Sequence, residues 1–402
     1  MNQPVLSIDV SKSYSYAKPF ISYGQPYSKP FSFDHTYDST KGVLNLLNSL
    51  EDETGIKPKV VMEATGNYSK PLQMFFTSNG YKIIELNPIL THKQKKNSIR
   101  KVKTDPIDTN RIAEVFYLNN AAEKYIISEH IEGLRVLCRN YEGINETFRE
   151  LQLKFHSIVD LIFPRYDTVF YKLCSRTSLE IIRRFPTPNA MLNANKKELE
   201  TILKSGRQSQ KWITSKMDQL IAAARESLPY NSAQQSLAQV LRSYVDLLLN
   251  HMDILTDLRA QITEKAKLTP AFTLLLSIPG VGELTAATII SEIGDISRFS
   301  TVKKLVAFAG LDPSVYESGK FKSSHNRISK RGSTHLRKAL YQAASAGVRK
   351  SNGSPNNSIL HDYYIKKVNE GKAKKVAIIA VAHKLLRIIY GMWENGEFFR
   401  VD

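Results

Sequence analysis

Apolar positions change their period along this chain, and each change predicts a different architecture. Near the N-terminus, VLSIDVSKSYSYAKPFI reads as a strand, a turn and a second strand, and FSFDHT as a third. TKGVLNLLNSLEDETG places Val43, Leu44, Leu47 and Leu50 on one side of a helix. KPKVVMEATGNY is a buried strand ending at Glu63. Tyr68 to Asn79 is a helix stopped by Asn79-Gly80, YKIIELNP is another strand, and a further helix opens at Asp105. The order β-β-β-α-β-α-β-α predicts an α/β fold. From Leu134 the spacing becomes three and four. Leu134, Leu137, Tyr141, Ile144, Phe148, Leu151, Phe155, Ile158 and Ile162 form a coiled-coil seam that Pro164 ends. A second seam runs through Leu237, Leu241, Tyr244, Leu248, His251, Leu255, Leu258 and Ile262, with His251 as a satisfied core or register residue rather than a metal ligand. The segment between them, Pro164 to Ser236, reads as a small helical subdomain inserted between two antiparallel arms, with Thr177 or Ser178 capping a helix. Either the seams pack on each other within one chain or they join two chains. The last third is helical: Gly280-Val281-Gly282 joins two short helices as in a helix-hairpin-helix. Ser333 or Thr334 caps THLRKALYQAA, and Trp393, Phe398 and Phe399 pack the end of an amphipathic helix.

Composition narrows the class. A chain of 402 residues exceeds one ordinary domain, and 42% hydrophobic residues suffice for real cores. The predicted division is 1–125, 126–268 and 269–402. A net charge of +18 calls for an anionic partner, most simply nucleic acid, with a membrane surface as the competing anion. No unbroken run of about 20 apolar residues is present to span a bilayer. The start, MNQPVLSIDVSK, has no signal-peptide pattern. Cys138 and Cys174 lack metal-type spacing, which fits a reducing cytoplasm and argues against a disulfide scaffold or structural zinc site. Each reads as a small buried hydrophobe.

The candidate chemistry begins with carboxylates. Asp105 and Asp108, in KTDPIDTNRIAE, stand at i and i+3 and share a helix face. The local alternative makes Asp105 an N-cap and Asp108 a first-turn acid suited to the helix dipole. Asp9 lies inside an apolar strand and Glu63 at the end of another. Acids there are expensive to bury unless paired or on a metal, unless both sit at solvated strand ends. Four converging carboxylates repel, and a hard divalent cation relieves that. Ahead of the helical pair, Lys93, Lys95, Lys96, Arg100, Lys101 and Lys103 form a basic run without an acid, either a solvated loop or a contact to a nucleic-acid backbone. Gly280 and Gly282 either present backbone N–H groups to a phosphate or only make a tight turn. Residues 316 to 350 carry nine Lys or Arg and one acid, Glu317. Among them Lys320, Lys322, Arg327, Lys330, Arg331, Arg337 and Lys338 are candidate phosphate contacts. Ser318, Ser323, Ser324 and Ser329 lie in the same region, and no physical rule selects a nucleophile among them. Lys372, Lys374 and Lys375, leading into the last helix, are backbone contacts or plain solvated charge.

LSIDVSK, VVMEATGNY and KTDPIDTNRIAE, in that order, resemble the DEDD site of a RuvC-like (RNase H-like) catalytic domain. More closely they resemble the transposases of the one-ten family of insertion sequences, relatives of the Piv DNA invertases. YESG, a basic loop, SKRG and LRKALY are similar to the C-terminal transposase domain of the same group. The resemblance covers both ends of the chain and fades across the middle. It implies that Asp9, Glu63, Asp105 and Asp108 hold Mg²⁺, and that Ser318, the serine of the ESG element, attacks DNA. It also implies a homo-oligomer (dimer or tetramer) in which the acids of one protomer meet Ser318 of another. Its further implications are donor and target DNA as substrates and a structured non-coding bridge RNA as guide. The fold class expected is therefore α/β plus α: an N-terminal RuvC-like domain, a helical coiled-coil middle, and an α-rich C-terminal transposase domain with a helix-hairpin-helix.

Three functions remain in view. The first is a cytoplasmic recombinase of a mobile element that cuts through a phosphoserine ester; an invertase acting without guide RNA is its close relative. The second is a RuvC-like metal nuclease or junction resolvase that uses water and leaves nicks. The third is a DNA-binding scaffold whose acid cluster is inert.

Overall fold

The computed structural model describes residues 2–86, 88, 91, 105–119, 127–206, 208–230, 232–313, 317–318, 321–322 and 327–400, with the backbone alone at 105, 119, 317, 318, 321 and 322. The chain forms two compact units, Met1–Ile126 and Ile127–Asp402.

The first unit is a six-stranded mixed sheet with helices on both faces. Its strands are β1 (Val5–Val10), β2 (Tyr14–Ser22), β3 (Gln25–Pro26), β4 (Phe31–Asp34), β5 (Lys59–Glu63) and β6 (Lys82–Leu86). Their order is β3-β2-β1-β5-β6, with β4 also on β2. β2 is antiparallel to β1, while β5 is parallel to both β1 and β6. Helices α1 (Tyr37–Thr54) and α2 (Ser69–Ser78) cover one face through Val43, Leu47, Leu72 and Phe76, packed on Leu6, Ile8, Val60 and Met62. Helix α3 (Asp105–Asn119) covers the other through Ile112, Phe116 and Tyr117, packed on Val5, Phe20, Val61 and Ile84. Burial on both faces explains why β1 reads as a nearly continuous apolar run. Thr36 caps α1 by accepting the Ser39 N–H, and Gly55 closes it in the left-handed conformation. The predicted order of elements is present. The two-residue β3 is an addition too short to leave a periodic signal.

The second unit is helical apart from short two-stranded ribbons. Helix α4 (Glu129–Ile162) leads through a 3-10 turn (Pro164–Thr168) to α5 (Arg176–Arg184), α6 (Pro188–Leu192), α7 (Lys196–Lys204) and α8 (Gln210–Glu226). Helix α9 (Gln234–Lys267) returns, followed by α10 (Ala271–Leu276), α11 (Glu283–Ile293) and α12 (Val302–Ala309). After the strands β7 (Glu317–Ser318) and β8 (Phe321–Lys322) come α13 (Thr334–Gly347), β9 (Lys350–Ser351), β10 (Ser354–Pro355), α14 (Ser358–Asn369) and α15 (Lys374–Asn395).

The two long helices pack on each other within one chain. Ile131, Leu134 and Cys138 at the start of α4 share a core with Ile262 and Ala266 at the end of α9. Phe155, Val159 and Ile162 at its far end share another with Ala238, Leu241, Val245 and Leu248. That pairing makes the arms antiparallel, with the inserted helices α5–α8 built onto one end and α10–α15 onto the other. His251 is half-buried, its Nδ1 2.8 Å from the Leu247 carbonyl. Both cysteines are free; burial pushes each thiol up to about 11, which keeps them protonated and inert.

Two expectations change here. Ser175, not Thr177 or Ser178, caps α5, because Ser178 is buried against the Tyr166 hydroxyl. Phe398 is exposed while Trp393 and Phe399 pack on the core, since the chain turns at Gly396 and the Phe399 N–H donates to Ser277 Oγ. Helix α15 is long and apolar enough by composition to cross a membrane, although no unbroken apolar run marks it. Its apolar side, including Val381, Leu385, Leu386 and Ile389, is core to the second unit.

A buried carboxylate ties the long arm α4 to α11 and to the start of α13. Glu292 on α11 accepts from Arg139 Nε at 2.7 Å and Nη2 at 3.0 Å, and from Ser333 Oγ at 2.7 Å. Burial alone would raise its pKa; the hydrogen bonds from Arg139 and Ser333, with the charges of Arg139 and Arg135, outweigh it and hold the carboxyl below the usual range. A depressed folded-state pKa contributes stability that is present above the unfolded pKa and lost as pH falls through the folded one. Glu292→Gln is expected to cost about 1–3 kcal/mol at neutral pH. Chemical unfolding at pH 7 and pH 4 checks it: the gap between the two proteins should narrow on acidification.

Candidate active site

Side-chain alternation decides where the N-terminal acids point. Val5 belongs to the α3 side of the sheet and Leu6 to the α1–α2 side, so Asp9 faces α3. By the same count from Val61, Glu63 also faces α3. Ile8 pairs with Met62 in parallel register, so Asp9 and Glu63 stand next to each other at the C-terminal ends of neighbouring strands, roughly 5 Å apart in backbone spacing. The sheet edge beyond parallel strands is where α/β folds leave room for a ligand. Asp108 is buried one turn before Ile112, on the sheet-facing side of α3. Its Oδ1 accepts from Arg111 Nη1 at 2.7 Å. Asp105 opens the same helix, and its side chain lies outside what is described. Three of the four predicted acids thus share one face and one end of the sheet. Among the described residues no three His, Cys, Asp or Glu side chains are gathered tightly enough to hold a metal ion. The donors are all carboxylate oxygens, which suit a hard divalent cation rather than a soft one.

The second unit carries the other half of the candidate chemistry. Residues 308–313 and 328–333 run antiparallel as a ribbon. Ser333 N–H donates to the Phe308 carbonyl at 2.7 Å, Lys330 N–H to Gly310 at 3.2 Å and Ser329 N–H to Asp312 at 2.8 Å, and Pro313 bridges Ile328. The hydroxyl of Ser329 donates to Asp312 Oδ1, so this serine is a stem residue. Beyond the ribbon, β7 pairs with β8, and Ser318 stands opposite Phe321. Gly332 is fixed by close approach, because a Cβ there would lie 2.0 Å from the Phe308 carbonyl oxygen. Gly332→Ala is expected to cost about 3 kcal/mol or more, read as a fall in Tm.

The predicted basic contacts separate into groups. Arg327, Lys330 and Arg331 are exposed. Arg337 donates to the Ala309 carbonyl, and Lys338 is paired with Glu142 and Glu146, so both are engaged inside the chain. Lys93, Lys95, Lys96, Arg100, Lys101, Lys103 and Lys320 lie outside the described residues, as does the side chain of Lys322. Gly280 has a packing reason of its own: at φ +103°, a Cβ would lie 2.6 Å from the Gly347 backbone nitrogen. Gly282 has open space around it and is the N-cap of α11, without a side-chain cap. Glu283 occupies that first turn, which opposes a phosphate there. Sequence reasoning missed Arg111 and Asp312. The i+3 spacing of Arg111 from Asp108 was the available signal for the first, whereas nothing local announces the second.

Comparison with known proteins falls on the same two regions. The DEDD profile of the IS110 group, described as "Transposase", matches residues 6–164. The "Transposase IS116/IS110/IS902 family" profile matches residues 272–364. The pilin gene-inverting protein of Moraxella bovis is 29% identical over 255 residues, 61% of this chain and 76% of that protein. The transposase for insertion sequence element IS1111A of Coxiella burnetii is 31% identical over 181 residues, 44% of this chain and 49% of that protein. The insertion element IS116 uncharacterized 44.8 kDa protein of Streptomyces clavuligerus is 21% identical over 358 residues, 89% of this chain and 87% of its own. With the acid-bearing sheet and the SKRG ribbon each inside a matched region, the chain belongs to the IS110 family of DEDD transposases.

Proposed function

We propose that this transposase is a site-specific recombinase of an insertion sequence that cuts and rejoins DNA through Ser318. The observation that carries the reading is the shared placement of Asp9, Glu63 and Asp108 on the α3 face at one end of the sheet. Asp9, Glu63, Asp105 and Asp108 would hold Mg²⁺ within a RuvC-like fold. When bound, the cation supplies positive charge against the scissile phosphate and lowers the pKa of a nearby hydroxyl. Ser318 gives up its hydroxyl proton, its Oγ bonds to phosphorus, and the bond from phosphorus to the leaving strand's oxygen breaks. The leaving oxygen takes up a proton. The phosphate is held as a serine ester until a hydroxyl of the exchanged strand attacks it and frees Ser318, so no net hydrolysis occurs. Arg327, Lys330 and Arg331 suit the phosphate backbone, as does the basic run at 93–103.

The partners proposed are donor and target DNA, a second copy of the chain, and a structured non-coding RNA that supplies sequence recognition by base pairing. Action on chromosomal DNA places the protein in the cytoplasm. Two measurements test the reading. A substrate nicked beside the cut should trap a covalent protein–DNA adduct; nicks without adduct would favour the water-using nuclease. RNA recovered with the protein should be one discrete species mapping beside its own gene. Random cellular RNA, from a preparation active on DNA, would favour an invertase without guide.

A further inference from the structure

We infer that the sheet edge beside the acids holds a binding track for an unpaired segment of the DNA strand being cut. The track runs along β2 into a groove between the β2–β3 hairpin and α3. It rests on the acid-site reading above. Residues of β2 that face α3 alternate as Tyr14, Tyr16, Lys18 and Phe20, because Lys18 Nζ donates to Asn110 Oδ1 of α3 at 2.8 Å and Phe20 packs among Ile112 and Phe116. Tyr16 pairs directly across from Asp9 in the antiparallel register. Its ring stands edge-on to that of Tyr14 with centroids 6.0 Å apart, and Tyr14 is 43% exposed.

At the other end the row opens into a groove of about 750 Å³. That volume lies within the roughly 300–1,000 Å³ typical of sites that enclose one small-molecule-sized group. Tyr23 stands at its rim, 45% exposed and edge-on to Tyr117 with centroids 5.6 Å apart. Lys18 and Arg111 line the groove, against a single acid, Glu114. Arg111 joins it to the acid site through Asp108.

Rings alternating with cations beside a groove are what unpaired nucleotides bind: bases stack on the rings and phosphates meet the cations. A paired duplex keeps its bases stacked inside and has no use for them. The position next to Asp9 and Asp108 selects the cut strand.

The test uses the full chain in EDTA, so that binding is read without cleavage. A single-stranded oligonucleotide and its duplex are titrated by fluorescence anisotropy. Tyr23→Ala should weaken single-strand binding about tenfold and leave duplex binding unchanged, while Tyr23→Phe keeps both. Lys18→Met should weaken single-strand binding and flatten its salt dependence. Loss of neither affinity, or equal loss of both in Tyr23→Ala, overturns the track. The unmutated protein gives a second reading. Photocrosslinking to 5-iododeoxyuridine oligonucleotides should map to Tyr14, Tyr16 or Tyr23, and crosslinks confined elsewhere overturn it. Failure of the acid reading has a different signature, namely cleavage that survives Asp9→Asn, which these binding measurements do not involve.

Discussion

Ser318→Ala should abolish the covalent protein–DNA adduct and reduce strand exchange by at least about 10³-fold, while DNA retention stays near that of the unmutated protein. The expectation rests on chemistry rather than on size. Removing one hydroxyl on β7 takes away the only atom proposed to bond to phosphorus and changes little else. Ser329 is the control. It lies eleven positions on, but its hydroxyl is committed to Asp312, and the ribbon holds its N–H on the Asp312 carbonyl. Ser329→Ala should therefore loosen the stem and lower yield without eliminating the adduct. Denaturing gels with radiolabelled nicked DNA separate the outcomes. An adduct of undiminished yield in Ser318→Ala would sink the nucleophile assignment. Cleavage without any adduct, in both proteins, would leave a nuclease that uses water.

The two units differ in how far sequence alone reached them. The sheet unit follows from period: strands of alternating or continuous apolar residues, and helices with stops at Gly55 and Asn79-Gly80. Asp9 and Glu63 stood out because acids are costly in such strands, and alternation from Val5 and Val61 then fixes their common face. The long arms were legible as heptads. Which arm faces which was not, because a seam records only that a partner exists, not whether that partner is in the same chain. The structure decides it through cores at both ends, Leu134 with Ile262 and Phe155 with Leu241. The ribbon that flanks β7 and β8 in the chain left almost no periodic trace. Its bonds run between residues 308–313 and 328–333, and its tight points depend on backbone contact, as at Gly332. Pairings of that kind are set by tertiary structure. The same limit explains Glu292, an unremarkable acid in an apolar helix until Arg139 and Ser333 meet on it.

The acids carry the second large effect. Asp9→Asn, Glu63→Gln and Asp108→Asn should each lower metal-dependent strand cleavage by about 10³-fold or more, since hard-cation sites depend on carboxylate charge as well as on oxygen geometry. Amide replacements keep shape, so the fold should persist, and circular dichroism with thermal unfolding checks that it does. Asp108 needs a separate control because it also accepts from Arg111. An amide still offers an oxygen, but it no longer balances a guanidinium that is itself largely covered, so Asp108→Asn should cost about 1–3 kcal/mol of stability. Arg111→Gln divides the two roles. If Asp108 serves chiefly as a partner for Arg111, then Arg111→Gln should match Asp108→Asn in stability and in cleavage alike. If Asp108 is a ligand, Arg111→Gln should reproduce the stability loss, yet titration with Mn²⁺ followed by electron paramagnetic resonance should still saturate, whereas in Asp108→Asn it should not. DNA retention is the shared baseline throughout. A collapse of retention in Asp9→Asn or Glu63→Gln, with the fold intact, would mean that these carboxylates shape the DNA-binding surface rather than the chemistry.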